Sequence, residues 1–552
     1  MESLISHIQS LLSVIVPFVI LLGLLIFVHE LGHFLVARFF GVRVEVFSLG
    51  FGKKILSYKR GYTNYCLSLI PLGGYVKMFG DEPGSTIAEE DKKFAFTHKP
   101  VGQRIWVVLA GPLMNLFFAI FLFSLISIRG EELRAPFVGD LKVGSSAALA
   151  GFKSGDKILS VNGTEIKTWN EADEIFENHA NKPVRVIVQR ELDQSTSEFE
   201  VTPTLGDNPN ILSSKRKIGI VEGLEPNSID STVGVKAGSS AALVGLKTGD
   251  QITKINDLDI KYWRQVEWIL SQKVDGGLKV TAERAEKDKS KEPAVVTVVL
   301  TENATAGYGI EAPDLYLDQV LADSPAQVAG LQSGDRIVSI NGATLKTWEE
   351  VLNTVKSYEE KMGPLSLQVM RGADQKEFQM TPKLIAHMGS KGKEEKRFMI
   401  GIVPVIRGTM PIITIQKAEN FFAGIKNGVK RTWEVTAMTV ISFKRLITAE
   451  ISPKNIGGVI SIGQAASETF KVGLGQFLSM MGIISINLFI LNLLPIPILD
   501  GGHLMFYIFE AVRGAPLSLR KMEIAQQVGL VILMGLMAFA LVNDFSRFLA
   551  PF

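Results

Sequence analysis

The side chains best suited to chemistry stand together near the amino terminus, where residues 27–33 read F-V-H-E-L-G-H. Positions four apart lie on one face of a helix, so His29 and His33 are predicted to present two imidazoles to one Zn²⁺ ion. Glu30 lies beside them and is the candidate general base for a water molecule. The pattern therefore predicts a catalytic zinc site.

The motif has an unusual setting, an apolar run that begins near Leu11 and is long enough to span a bilayer. Ionisable side chains within such a segment are costly and indicate function. An accidental match would leave three of them unsatisfied within five positions. We therefore favour a metal ion and water as the groups that satisfy them.

A second group of polar residues ends another apolar run, where residues 487–503 read N-L-F-I-L-N-L-L-P-I-P-I-L-D-G-G-H. Pro495 and Pro497 are predicted to break the helix and to place Asp500 at a bent helix end. The predicted depth of Asp500 matches that of the two histidines. A catalytic zinc takes three protein ligands, and Asp500 is the best candidate for the third, with His503 as its competitor.

The composition limits the classes of protein to which the chain can belong. Its 552 residues allow several domains, and 47% apolar with 21% charged residues suit membrane helices joined to soluble domains. The formal net charge of +2 gives no reason to expect a nucleic-acid partner. Cys66 is the only cysteine, which excludes an intrachain disulfide.

Four apolar segments are long enough to span a bilayer. Basic residues concentrate in the loop between the first two and in the loop between the last two, and such loops face the cytoplasm. Both termini and the long central region are therefore predicted to lie outside the cytoplasm, with the H-E-x-x-H motif toward the cytoplasmic side. The predicted spans cover approximately residues 11–40, 105–128, 477–498 and 528–542.

The loop after the first span carries strand signals over residues 42–48, 53–58 and 63–70, with a turn at residues 60–62. Residues 71–78 follow and read P-L-G-G-Y-V-K-M. We predict a membrane-associated β-hairpin whose edge pairs with an extended substrate. A plain cytoplasmic hairpin is the alternative.

The central region contains three repeats at a spacing of about 90 residues, which suits a small domain. Each has a short helix, a Gly-Asp turn, a strand that ends in Asn, a Trp, and a closing Gly-Ile strand. The repeats resemble PDZ domains of the bacterial arrangement, which bind extended peptides by strand addition. Spacers or size filters without a ligand are the alternative. These positions are 155–156, 162, 169 and 219–220, then 249–250, 256, 263 and 309–310, then 334–335, 341, 348 and 401–402.

Two other segments accompany the spans. The second span contains Gly111, Pro112 and Asn115 in the sequence G-P-L-M-N. Gly and Pro allow close helix approach, and we predict Asn115 to hydrogen-bond across helices rather than to contact the site. Residues 421–446 are interrupted by charges and are predicted to form an amphipathic helix against the membrane or the other helices.

Four motifs in order resemble the site-2 proteases: H-E-x-x-H, P-L-G-G-Y-V, G-P-x-x-N and N-x-x-P-x-P-x-x-D-G. The inserted PDZ-like repeats point to the bacterial regulator-of-sigma-E protease group of that family. The resemblance implies that His29, His33 and Asp500 bind zinc and that Glu30 is the catalytic base. The residues that it implies for substrate binding are Asn492, Gly73, Gly74 and Tyr75.

The implied fold is an α-helical polytopic membrane protein with four transmembrane helices, a membrane-associated β-hairpin and inserted α+β PDZ-like domains. The implied function is regulated intramembrane proteolysis by a zinc metalloprotease, whose substrates are single-span membrane proteins such as anti-sigma factors or remnant signal peptides. The implied location is the bacterial inner membrane, with periplasmic PDZ domains that gate substrate access, periplasmic termini and no nucleic-acid partner. The chain departs from this pattern because it has three PDZ-like repeats rather than two.

Two other functions fit parts of the pattern. One is an ordinary zinc protease that is anchored to the membrane and acts on soluble segments. The other is a non-enzymatic membrane scaffold that displays three PDZ domains. The predicted division of the chain is the same for all: first span 1–40, hairpin loop 41–102, second span 103–130, PDZ-like repeats 138–223, 224–312 and 313–405, amphipathic helices 415–470, third span 475–510 and fourth span 524–545.

Overall fold

The structure, a computed structural model, describes residues 2–82, 87–142, 144–191, 193–272, 277–285, 292–302, 307–388 and 394–549. The chain folds into two compact units. The helical unit comprises Met1–Glu132, Asn210–Ser214 and Ile415–Phe552, and the modular unit comprises Leu133–Pro209 and Lys215–Thr414.

The helical unit consists mainly of long helices together with the long strands β1 and β2. The modular unit consists of short strands and short helices. The helices are α1 Glu2–Phe39, α2 Val101–Arg129, α3 Ser146–Ala150, α4 Trp169–Asn178, α5 Ser240–Leu243, α6 Trp263–Ser271, α7 Pro325–Ala329, α8 Trp348–Lys356, α9 Phe421–Ile447, α10 Val459–Val472, α11 Leu474–Asn492, α12 Asp500–Arg513 and α13 Leu519–Leu549. The strands are β1 Val44–Arg60, β2 Thr63–Met78, β3 Glu131–Arg134, β4 Lys157–Val161, β5 Thr164–Glu165, β6 Val184–Gln189, β7 Thr196–Val201, β8 Thr204–Asp207, β9 Lys217–Ile220, β10 Ser228–Ile229, β11 Gly234–Val235, β12 Gln251–Ile255, β13 Leu258–Asp259, β14 Leu278–Arg284, β15 Ala294–Leu300, β16 Ile310–Glu311, β17 Leu317–Val320, β18 Arg336–Ile340, β19 Ala343–Thr344, β20 Leu365–Arg371, β21 Asp374–Met380, β22 Lys383–Met388, β23 Glu394–Met399, β24 Ile402–Pro404, β25 Gly408–Thr409 and β26 Ile413–Gln416.

Among the described residues, four helices are long and apolar enough to cross a membrane, which is the number predicted, and α9 covers the predicted amphipathic segment. The third span is shorter than predicted, because α11 ends at Asn492 and α12 begins at Asp500. Pro495 and Pro497 lie in the irregular link between them, since proline lacks a backbone N–H and disfavours helix in the residue before it. The candidate spans are Leu12–Phe39, Val101–Arg129, Leu474–Asn492 and Leu519–Arg547.

Helix α2 is the centre of the helical unit, since it packs against α1, α9, α11 and α12. Small residues permit close contact. The positions at which Gly424 and Gly428 of α9 would carry a Cβ lie 2.3 Å from Ile128 Cγ1 and 2.1 Å from Ser124 Oγ of α2. Membrane helices favour small residues at such interfaces. Helix α2 therefore touches every helix that carries a predicted site residue.

The predicted hairpin is present and is wider than a simple pair of strands. Residues 44–49 of β1 pair on one side with residues 74–78 of β2 and on the other with residues 64–67. Gly74–Met78 is consequently an edge, and no other strand in the described part of the chain pairs with it. Association of this hairpin with the membrane remains a prediction.

The three repeats fold as three similar modules, each with two helices and a four-stranded antiparallel sheet. Alternate residues of the central strands β6, β14 and β20 are buried, as expected for sheets with one face on a core. The predicted Trp of each repeat begins the second helix of its module. The predicted Asn adopts a positive φ of about 50° in each, a conformation that Asn tolerates in turns. The sheet orders are β5–β4–β6–β7, β13–β12–β14–β15 and β19–β18–β20–β21.

The aspartate of each Gly-Asp turn is a buried structural group. In module 3, the carboxylate of Asp335 accepts two hydrogen bonds of 2.7 Å from Arg371 and one of 2.9 Å from the backbone N–H of Gln332. The Arg371 guanidinium also donates to the carbonyl of Gly330, which caps α7. The corresponding pairs are Asp156 with Arg190 in module 1 and Asp250 with Arg284 in module 2.

The closing strand of module 1 is not where the repeat pattern predicted it. In module 2, the N–H of Ala241 bonds to the carbonyl before Gly309, and that glycine packs on Ser239. In module 1, the equivalent glycine is Gly223, because a Cβ there would lie 2.5 Å from Ser145 Oγ. Gly219 lies four residues earlier in β9, which pairs with β8. Two Gly-containing segments close together in sequence made this register ambiguous.

Ion pairs join neighbouring modules within the modular unit. The guanidinium of Arg264 on α6 is 7% exposed and donates to Glu191 Oε2 at 2.6 Å and to Ser228 Oγ at 2.7 Å. At the next junction, Glu311 accepts hydrogen bonds from Arg336 and, at 2.6 Å, from the Tyr316 hydroxyl. Breaking a buried pair of this kind is strongly destabilising.

Candidate active site

Three predicted ligand side chains meet in the helical unit. His29 and His33 project from one face of α1, and Asp500 is the first residue of α12. The Nε2 atoms of the two histidines lie 3.2 Å apart, and Asp500 Oδ2 lies 3.1 Å from the first and 3.5 Å from the second. One ligand atom from each of the three residues lies within 4.8 Å of the other two. Among the described residues, no other group of three His, Cys, Asp or Glu side chains does so.

Helix α2 holds the opposite nitrogens of both imidazoles. His33 Nδ1 lies 2.8 Å from the carbonyl oxygen of Val107, so an N–H at Nδ1 donates to it. His29 Nδ1 lies 3.3 Å from the side-chain amide of Asn115. A partner at Nδ1 fixes the tautomer that leaves Nε2 free to bind a metal ion. Both histidines therefore direct Nε2 toward Asp500.

The residues present fit a zinc ion on two further observations. A Cβ at Gly111 would lie 2.2 Å from His33 Nε2 and 2.9 Å from His29 Cε1, so glycine keeps space open beside the nitrogens. Asn115 is completely buried, and its Oδ1 has no hydrogen-bond partner among the described residues, so this oxygen can still accept a hydrogen bond. Two imidazole nitrogens and a carboxylate oxygen are also a donor set that zinc accepts.

The base predicted from the motif faces the hairpin edge. A Cβ at Gly74 would lie 2.9 Å from Glu30 Cγ, so the edge strand passes directly over the Glu30 side chain. Both border a cavity of about 610 Å³. The cavity is lined by His29, Glu30, His33, Gly74, Tyr75, Val76, Lys77, Met78, Asp81, Glu82, Phe96, Val108, Asp500, His503 and Tyr507.

Helix α12, which carries Asp500, is fixed at both ends. At its start, a Cβ on Gly501 would lie 2.3 Å from the carbonyl oxygen of Leu494, so the helix packs directly on the proline-containing link. Near its end, Glu510 accepts two hydrogen bonds from the Arg104 guanidinium of α2, at 2.6 and 3.1 Å. A bidentate pair of this kind adds geometric specificity to the contact.

The other predicted residues have different outcomes. His503 lines the cavity but is outside the three-residue cluster, so the geometry favours Asp500 over His503 as the third ligand. Tyr75 lines the cavity, whereas Gly73 packs on the Phe51 ring. Asn492 ends α11 half-buried, is not among the residues that line the cavity, and makes no side-chain hydrogen bond to the described residues. Its substrate contact remains a prediction.

Sequence reasoning missed part of the site and misjudged Asn115. The prediction that Asn115 would bond across helices rather than contact the site is wrong in its second half, because its amide lies against His29. Val107, Gly111 and Asn115 are spaced by four and share one face of α2, which was a usable signal. Arg104 and Glu510 lie too far apart in sequence for any local pattern to pair them.

Comparison with known proteins finds relatives over almost the whole chain. A model of peptidase family M50 matches residues 17–536. The regulator of sigma-E protease RseP of Salmonella typhimurium is 32% identical over 98% of this chain and 99% of its own length. A Pasteurella multocida protein that carries the name of a zinc metalloprotease is 31% identical over 98% of this chain and 100% of its own.

A solved HtrA3 PDZ domain bound to a phage-derived ligand is similar to a short part of the chain. The match is 34% identical and covers 13% of this chain and 63% of the HtrA3 chain, with a TM-score of 0.12. The family model, in contrast, extends across both units. The chain therefore belongs to peptidase family M50 and is a zinc metalloprotease.

Proposed function

We propose that this zinc metalloprotease cleaves single-span membrane proteins within the bacterial inner membrane. One observation carries the proposal. His29 and His33 lie inside the apolar span Leu12–Phe39, and the carboxylate that meets them begins the helix after the third span. A site built there is suited to a peptide bond at membrane depth, where ionisable groups are otherwise costly.

In the proposed site, His29, His33 and Asp500 hold the zinc ion. When bound, zinc supplies Lewis-acid chemistry, which acidifies a water molecule and polarises a peptide carbonyl. Glu30 takes a proton from the attacking water and passes it to the amide nitrogen of the leaving strand. Val107 and Asn115 keep the two imidazoles in register with Asp500 throughout.

The hairpin edge is the proposed substrate-binding strand. A transmembrane helix hides its peptide bonds in internal hydrogen bonds, so a substrate must unwind before it is cut. The unpaired edge Gly74–Met78 offers the freed backbone new partners by strand addition. Because Gly74 lies against Glu30, a strand paired there presents its backbone beside the base.

The proposed topology places the termini and the modular unit in the periplasm and the site toward the cytoplasmic side. It rests on the basic residues of the loops that follow the first and third spans. The relatives named regulator of sigma-E protease support an anti-sigma factor as the substrate type.

We further propose that module 3, rather than module 1, receives a peptide chain when substrates are gated. A groove of about 550 Å³ lies between α8 and the segment from Glu395 to Ile402. Arg397 lines this groove. In module 1, the residue at the same distance from the closing glycine is Gly219, and a Cβ there would lie 2.2 Å from the carbonyl oxygen of Phe176 on α4. The backbone of β9 therefore already contacts the backbone of α4 in module 1 and leaves no room for a peptide between them. We propose that module 1 acts as a spacer.

The experiment uses full-length protein and a single-span reporter whose outer part has been trimmed. Glu30→Gln is expected to slow cleavage by about 10²–10⁴-fold while zinc content stays near that of the unmodified protein, because the base is not a ligand. Glu90→Gln, at an exposed position, is the matched control. Undiminished cleavage by Glu30→Gln would contradict the proposal. Equally rapid cleavage of a soluble unfolded protein would instead favour a membrane-anchored protease of ordinary type.

A further inference from the structure

We propose that Asn115 is a positioning residue for the metal site, and that its side-chain oxygen accepts the Nδ1 hydrogen of His29 when zinc is bound. This inference rests on the proposed metal site. It adds a residue from the second span to a site otherwise built from α1 and α12.

The first step concerns the tautomer of His29. Its Nε2 faces His33 and Asp500, so a metal ion there binds Nε2 and leaves the hydrogen of the neutral ring on Nδ1. Nδ1 then needs an acceptor. The one side chain within hydrogen-bond distance of Nδ1 among the described residues is the Asn115 amide, at 3.3 Å.

The second step concerns the orientation of that amide. With its nitrogen toward Nδ1, the amide presents a donor to a donor, and Oδ1 is left buried without a partner. The two ends of an amide have nearly the same shape, and their assignment follows from the hydrogen bonds available. Half a turn about the terminal bond places Oδ1 opposite Nδ1–H and gives the buried oxygen a donor.

The third step concerns what holds Asn115. It is completely buried in α2, and its backbone oxygen accepts a 2.7 Å hydrogen bond from the Ser485 hydroxyl of α11. The backbone at this position is thus held separately from the side chain. The backbone carbonyl of Val107 accepts the Nδ1 hydrogen of His33, and a substitution at residue 107 would keep that carbonyl. Of these two partners, Asn115 is therefore the one whose side chain matters. Losing a partner of a metal-bound imidazole weakens metal affinity by about 10–100-fold.

The test measures zinc affinity by chelator competition on the full chain, with Glu30→Gln present in every sample so that no activity enters the readout. Asn115→Leu is expected to bind zinc about 10–100-fold more weakly. Asn115→Asp, which retains the acceptor oxygen, is expected to bind at least as tightly as the parent. Ser485→Ala is the matched control, since it disturbs Asn115 without changing its side chain, and it is expected to leave the affinity unchanged.

A second readout separates positioning from packing. The rise in melting temperature on adding zinc should shrink for Asn115→Leu, because that rise follows metal affinity, while the melting temperature without zinc stays close to the parent value. Parental affinity for Asn115→Leu, or an equal loss in Ser485→Ala, would overturn the inference. Should the leucine variant fail to fold, weaker binding by Asn115→Asp than by the parent would overturn it.

His29→Ala distinguishes the two levels of the proposal. If this variant binds zinc as the parent does, the proposed metal site itself is wrong. If it loses zinc while Asn115→Leu does not, the metal site stands and only the role of Asn115 fails.

Discussion

Buried carboxylates occur in both units and have opposite surroundings. In the modules, Asp156, Asp250 and Asp335 are at most 1% exposed, and each has an arginine and a backbone N–H as partners. Asp500 is also largely buried, but within the described chain its ion-pair partners are the two imidazoles. No lysine or arginine of that part of the chain pairs with it.

The difference shows how the role of a buried charge can be judged. A carboxylate removed from water needs compensation, and in the modules an arginine and a backbone N–H provide it. At Asp500 the chain supplies two imidazole nitrogens and places a second carboxylate, that of Glu30, beside the same cavity. Two carboxylates and two imidazoles thus meet without a lysine or arginine partner for Asp500 in the described chain, an arrangement that suits a bound cation.

The strongest way to break this comparison is Asp500→Ala. We expect the variant to lose zinc and all cleavage of a single-span reporter, since a catalytic zinc relies on three protein ligands. We expect its melting temperature without zinc to be no lower than that of the parent, because a largely buried carboxylate that no lysine or arginine of the described chain pairs with has been removed. Metal analysis and thermal melting measure the two effects. A variant that is destabilised without zinc would show that Asp500 is structural, like the module aspartates.

The converse change in a module is Arg371→Met, which leaves Asp335 buried without its arginine. We expect a loss of about 3–5 kcal/mol in the stability of module 3, because an unpaired buried charge remains. Hydrogen exchange of β18 and β20 in the full chain measures it. The double change Asp335→Ala with Arg371→Met should lose less than the single change. Zinc content is the control and should not alter, so a loss of zinc would contradict the separation of the two roles.

The smallest effect concerns a carboxylate that forms no ion pair within 4 Å of an arginine in the described chain. Burial raises the pKa of Asp173 in module 1 to about 6, and the Trp169 side chain only partly offsets this. The folded module therefore binds the proton more tightly than the unfolded chain, whose aspartate pKa is about 3.9. The stabilisation of the folded module by protonated Asp173 is complete below a pH of about 4 and is lost as the pH rises through about 6.

Asp173→Asn removes this loss and is expected to stabilise module 1 at pH 7 by up to about 2 kcal/mol, with little difference at pH 4. Hydrogen exchange of β4 and β6 at the two pH values measures the effect. Glu174→Gln, at the exposed next position, serves as the control. An equal gain at both pH values would show that the effect does not come from the charge.

Local patterns were sufficient to predict the four long apolar helices, the hairpin, the three modules and the meeting of His29, His33 and Asp500. They were sufficient because hydropathy, alternation and motif spacing act over a few residues. They failed where a partner lies far along the chain. The contact of Asn115 with His29 depends on how α1 crosses α2, and the Arg104–Glu510 pair joins residues 406 positions apart.

The predicted position of the closing strand of module 1 was wrong for a different reason. Gly219 is followed by isoleucine and matches the Gly-Ile pattern, whereas Gly223 is followed by leucine, and contact with Ser145 identifies Gly223 as the equivalent of Gly309. The end of α11 was predicted too late because proline acts on the residues that precede it.

The ion pairs at the two module junctions have a mechanical consequence. Separating modules 1 and 2 would remove both carboxylates that pair with Arg264, those of Asp140 and Glu191. Separating modules 2 and 3 would remove Arg336 from Glu311. The three modules are therefore expected to tilt together as one stiff body, without a hinge at either junction. A peptide bound by one module would then move all three modules together. The third module therefore makes this rigid body longer without making it more flexible.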